Sequence, residues 1–122
     1  MNSDLKGSKR NKRIGFRFAL SGILAVVKTE RNLKIHCFAS VAVLLTGIFL
    51  SISPIEWAVL FLTMGLVLSL EVVNSVIERV MDFIHPSYHQ EVKVIKDASA
   101  GAVLIAACFA VMIALVIFVP NL

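Results

Sequence analysis

Three apolar runs, Cys37 to Ser53, Ile55 to about Ile77 and Ala98 to Val119, limit what this chain can fold into. Each is close to the roughly 20 residues a helix needs to cross a hydrocarbon core. With 58% of its 122 residues hydrophobic and a mean hydropathy of +0.88, the chain has more apolar surface than one small soluble core can cover. The expectation is an all-α membrane protein of a single domain. The first run is short, and needs Ile35 or some thinning of the bilayer to reach across.

The basic residues set an expected orientation. Of twelve, nine precede Cys37, Arg79, Lys93 and Lys96 lie between the second and third runs, and none follows. The excess of cations on cytosolic flanks then places the N-terminus and the second loop in the cytosol, and the first loop and C-terminus outside. A net charge of +4 would also suit nucleic acid, but cations crowded beside a span point to anionic lipid headgroups instead. The polar start of the chain lacks the apolar core and cleavage site of a signal peptide. Cys37 and Cys108 fall at different depths, which argues against a disulfide within one subunit.

Local signals divide the chain further. Residues 1–12 read as a flexible basic N-terminus and 13–34 as an interfacial helix, with Phe16, Leu20, Ile23, Leu24 and Val27 at helical spacing. Gly15 and Gly22 would permit close approach of a neighbouring backbone. The polar patch Thr29 to His36, taken alone, reads as a solvated helix end. The spans are then 35–53, 54–84 with a cytosolic extension, and 98–119, with 85–97 forming a cytosolic loop and the start of the last helix. Ser53-Pro54-Ile55-Glu56 is a capping box that opens the second span, with Trp57 in the outer aromatic belt, and Ser87 to Gln90 resembles a second box. Pro86 should stop the second span before His85. Ala98, Ala102, Ala106, Ala110 and Ala114 form a ridge on which another helix can pack. A three-span chain this small cannot enclose a large polar site alone, so oligomerisation is expected.

The chemistry lies in Leu70 to Asp82. At a hundred degrees per residue, Glu71, Asn74, Ser75, Glu78 and Asp82 form one narrow polar stripe on an otherwise apolar helix. An acid as deep as Glu71 costs about 2–3 kcal/mol to insert unless it faces protein, water or a metal. With Glu30, Lys96 and Asp97, the stripe offers oxygen ligands for a hard cation such as Mg²⁺ and cations for phosphate, and Glu71 suits a general base. Phosphoryl transfer needs those parts. No P-loop or protein-kinase signature is present, and cysteine and histidine lack zinc-site spacing. An ion or proton relay would use similar residues, and on this pattern the two readings stand level.

Glu71-Val-Val-Asn74-Ser-Val-Ile-Glu78-Arg-Val-Met-Asp82 resembles the signature of the small prokaryotic integral-membrane lipid kinases, the diacylglycerol kinase and undecaprenol kinase family. Lys96-Asp97-Ala-Ser-Ala-Gly101 resembles that family's second motif, at the expected distance. The resemblance implies a homotrimer with sites shared between subunits, which uses MgATP to phosphorylate a lipid alcohol. It implies Glu71 as the base and Asn74 as the residue that orients groups beside it. It also implies Glu30 and Glu78 as metal ligands, and Ser87, Tyr88, His89, Lys96 and Asp97, with Glu30 and Glu78, as contacts of the nucleotide. Glu30 to His36 is similar to the undecaprenol kinase branch, which implies undecaprenol as acceptor, with diacylglycerol as the alternative. Arg13 and Arg17 align poorly with the family. A transporter is disfavoured because the first and third spans carry no charge, and a scaffold because several acids at the bilayer edge would then have no use.

Overall fold

The computed structural model describes residues 12–122, with side chains from Gly15 onward. Residues 1–11 of the expected flexible segment, and the Arg13 side chain, lie outside that description. Four helices follow one another: α1 (Lys12–Thr29), α2 (Arg31–Leu50), α3 (Pro54–Ile84) and α4 (Gln90–Phe118), closed by a 3₁₀ turn at Val119–Asn121. The last three are long and apolar enough to cross a membrane. Most of their large apolar side chains, Phe38, Phe49, Leu62 and Phe109 among them, face outward. Cys37 and Cys108 are free thiols.

The expected interfacial helix over 13–34 is interrupted. Glu30 is extended (φ −104°, ψ 113°), so residues 31–34 belong to α2 rather than to α1. Neither proline nor glycine makes this break. The Thr29 hydroxyl donates to the Ala25 carbonyl at 2.9 Å, and the Glu30 N–H donates to the Val26 carbonyl at 2.9 Å, which closes α1 from within. A Cβ placed on Gly15 or Gly22 would meet no other element within 4 Å among the described residues, so neither glycine marks a close approach within this chain.

The turn between α2 and α3 is tightly built. Ser51 takes the left-handed conformation (φ 51°), and the Ile52 N–H donates to the Gly47 carbonyl at 3.3 Å. Ser53 then accepts from the Glu56 N–H at 3.2 Å, while the Glu56 carboxylate accepts from the Ser53 N–H at 3.0 Å, with Pro54 as the first helical residue. Trp57 is half-buried and lies over Gly47, where a Cβ would stand 2.7 Å from its ring. Ile52, Leu60 and Ile117 are buried beside it. Asn121 ties the far terminus in, donating to Glu56 Oε2 at 3.0 Å and to the Ile117 carbonyl at 2.6 Å.

Helix α3 ends at Ile84, two residues before Pro86. The capping box expected at Ser87 to Gln90 does not form. His89 is the N-cap of α4, and its Nδ1 accepts from the Glu91 N–H at 3.1 Å, so the ring takes over what a serine hydroxyl would do. Helix α4 packs mainly along α3. Of the alanine ridge, Ala106 is buried in that contact, Ala110 and Ala114 are half-buried, and Ala98 and Ala102 are exposed.

Candidate functional site

The polar stripe of α3 is not uniform. Glu71, Asn74 and Ser75 are buried, Glu78 is half-buried and Asp82 is exposed. The stripe thus runs from the interior, where His36 of α2 meets Glu71, to an open end, where Asp82 borders the loop. Ser75 turns its hydroxyl back on the helix and donates to the Glu71 carbonyl at 3.1 Å. Asn74 behaves differently: its Oδ1 is buried with no hydrogen-bond partner among the described residues. An orphaned acceptor of that kind costs about 1–3 kcal/mol, which marks a place where a donor is missing.

Glu71 meets α2 through His36, whose Nε2 lies 3.6 Å from its Oε2. Its carboxylate is also within electrostatic reach of Glu78 and Glu30. Glu30 occupies the α1–α2 break without spending its side chain on a helix cap. Arg79 holds that break from α3: Nε lies 4.0 Å from Glu30 Oε1, and the guanidinium donates to Thr29 Oγ1 and to the Ala25 carbonyl.

At the open end of the stripe is a cleft of about 450 Å³, lined among others by Glu78, Asp82, Ser87, Tyr88, His89, Lys96 and Asp97. Lys96 Nζ donates to Asp82 Oδ1 at 2.7 Å, and Lys93 Nζ to Asp97 Oδ2 at 2.6 Å. Lys96 precedes the apolar stretch of α4, and its hydrogen bond to Asp82 holds the ammonium pKa above the usual lysine value. The loop is braced by His85, whose Nδ1 lies 2.8 Å from the Ser87 carbonyl oxygen and whose ring meets His89 edge-on.

The nine candidate residues therefore fall into three groups. Glu78, Ser87, Tyr88, His89, Lys96 and Asp97 share the cleft, Glu71 and Asn74 sit deeper on the same helix, and Glu30 approaches from the α1–α2 junction. Among the described residues no three His, Cys, Asp or Glu side chains come close enough to form a closed metal site. Magnesium asks for less, since it is usually held by one or two protein carboxylates together with substrate phosphates, and Glu30 and Glu78, both within electrostatic reach of Glu71, are oxygen donors of that kind. Arg17 lies elsewhere, in a shallow groove on α1 beside Lys28. The sequence reading missed His36 and Arg79. The signal for His36 was a titratable ring at the start of an apolar run, six residues after Glu30.

Comparison with known proteins adds an independent line. The model of the family described as prokaryotic diacylglycerol kinase matches residues 17–118. An undecaprenol kinase of Bacillus subtilis (strain 168) is 42% identical over 107 residues, covering 88% of this chain and 87% of that protein. A diacylglycerol kinase of Synechocystis is 41% identical over 110 residues, covering 89% of this chain and 63% of its own. A diacylglycerol kinase of Haemophilus influenzae is 29% identical over 92 residues, 75% of this chain and 78% of its own.

Proposed function

We infer the reaction from the following premise: this chain belongs to the prokaryotic diacylglycerol kinase family, membrane enzymes that phosphorylate lipid alcohols with ATP as co-substrate. Within that class we propose transfer of the γ-phosphoryl group of MgATP to undecaprenol, with diacylglycerol as the second acceptor. The match to an undecaprenol kinase over most of both chains supports the first choice, and the matches to diacylglycerol kinases support the second.

The observation that carries the mechanism is a buried carboxylate on α3 and, about two turns further along that helix, a solvent-open cleft that α3 shares with the loop and α4 and that holds Lys93 and Lys96. Polyphosphate suits the cleft, where Lys96 exchanges Asp82 for a phosphate oxygen and the loop Ser87, Tyr88 and His89, with Asp97, surrounds the nucleotide. Glu30 and Glu78 would hold Mg²⁺, which neutralises charge on the transferring phosphoryl group. Glu71 takes the proton of the lipid hydroxyl, and burial among apolar side chains keeps water from competing for the phosphoryl group. Asn74 Oδ1, without a partner among the described residues, is placed to accept a hydrogen bond from a donor that arrives with substrate.

One chain leaves the apolar grooves beside α3 and α4 open and the acids half-enclosed. A homotrimer with sites completed by the neighbouring subunit fits that incompleteness, with the N-terminus in the cytosol and the C-terminus outside. The test is incubation of the purified protein in lipid with γ-labelled ATP and either undecaprenol or diacylglycerol, followed by chromatography. Label on undecaprenol is the expected result. Label on diacylglycerol alone reverses the acceptor preference, and label on neither overturns the proposal.

A further inference from the structure

We propose that His36 is the outlet for the proton that Glu71 takes from the acceptor hydroxyl. The proposal rests on the lipid-kinase reading and deepens it by assigning a residue that reading does not use. Glu71 is poorly placed to discharge a proton by itself, since its side chain is 4% exposed. His36, touching it at 3.6 Å, is 27% exposed and so reaches from the buried carboxylate toward the surface. Contacts of this length commonly tighten once substrate is bound.

The other groups around Glu71 are less suited. From the α1–α2 junction comes Glu30 and from α3 itself Glu78, both assigned to the cation. From α4, Lys96 and Asp97 are engaged by Asp82 and Lys93. A neutral imidazole has one acceptor nitrogen and one donor nitrogen, so it can take a proton on one edge and give one up on the other, which an ammonium cannot do. The balance is complete. The acceptor oxygen bonds to the γ-phosphorus, the bond to the β–γ bridging oxygen breaks with its electron pair leaving on ADP, and the hydroxyl proton passes to Glu71. His36 Nε2 then takes that proton, and the imidazolium releases one to water from Nδ1.

The test uses wild-type protein, His36→Ala and His36→Gln in lipid with ATP and undecaprenol, with thermal melting to confirm equal folding. Both variants should lose on the order of tenfold or more in kcat with KM for ATP unchanged. Added imidazole should restore His36→Ala. His36→Gln should stay slow, because an amide can donate to Glu71 but takes no proton. A His36→Gln enzyme with wild-type kcat and pH–rate profile overturns the relay, as does a slow His36→Ala enzyme that ignores imidazole. Wild-type protein that labels no lipid defeats the kinase reading itself, a result distinct from either.

Discussion

The two ends of the bundle solve opposite problems. At the Ser53 end the polar groups satisfy one another: Ser53 and Glu56 cap α3 reciprocally, Asn121 donates to Glu56, and Trp57 covers Gly47. At the Glu71 end they do not. Among the described residues Asn74 Oδ1 has no partner, the Glu71 carboxylate meets the His36 ring at 3.6 Å, and the cleft cations are held by carboxylates that phosphate can replace. Both ends are built from the same helices, so the difference is one of purpose. Unmet polar demand is tolerated where a ligand will meet it, and packing elsewhere must hold the helices in place.

Substitutions can break that contrast, and the largest effect is expected at Glu71. Glu71→Gln keeps the shape and removes the proposed base, so labelled-lipid formation should fall by ~10²–10⁴ while thermal melting is unchanged. If melting fell with activity, Glu71 would belong to the scaffold end in kind. Lys96→Met should come next. Losing its charge-assisted contact predicts a rise in KM for ATP of about tenfold, with a smaller change in kcat. Because the Lys96 pKa is raised in the folded protein, its pairing is fully present below the ordinary lysine value and is lost only as pH rises through the raised one. The ATP affinity should therefore show no Lys96-dependent limb near neutral pH.

At the other end, Gly47→Ala places a Cβ 2.7 Å from the Trp57 ring and 3.1 Å from Ile52 Cδ1. The overpacking should cost about 1–3 kcal/mol, read as a lower melting temperature in detergent with KM for ATP unchanged. An unaltered melting temperature would mean that Trp57 swings aside freely and that this end is less tightly built than it looks.

How far each end was readable in the sequence follows from the range of its interactions. Three helices apolar enough to cross a membrane follow from long apolar runs, and the stop before Pro86 and the Ser53 box depend on residues within a turn or two; all of these are present, with the first helix beginning at Arg31 and ending at Leu50. The common face of Glu71, Asn74 and Ser75 follows from helical periodicity. What periodicity lacks is the rotation of one helix against another. It could not put His36 against Glu71, join Arg79 to Thr29 across fifty residues, or turn Trp57 onto Gly47. The break at Glu30 was hidden for a related reason, since Thr29 and a backbone hydrogen bond make it without proline or glycine. At α4, Ser87 matched the capping pattern but His89 took the position, a competition between two nearby acceptors that a motif alone does not decide.

The smallest effect tests whether the two ends are separable. Ser53→Ala removes one half of the capping box, leaving the Glu56 N–H without its side-chain acceptor, and helix caps of this kind contribute about 1 kcal/mol. Because Glu56 keeps both its own contact to the Ser53 N–H and its bond from Asn121, the loss should stay local. The expected outcome is a slightly lower melting temperature, with kcat and KM for ATP at wild-type values. The Ser53 cap and Glu71 share α3 but lie about five turns apart. A changed KM for ATP in Ser53→Ala would show that α3 carries strain along its length, and that the satisfied end sets the geometry of the unsatisfied one.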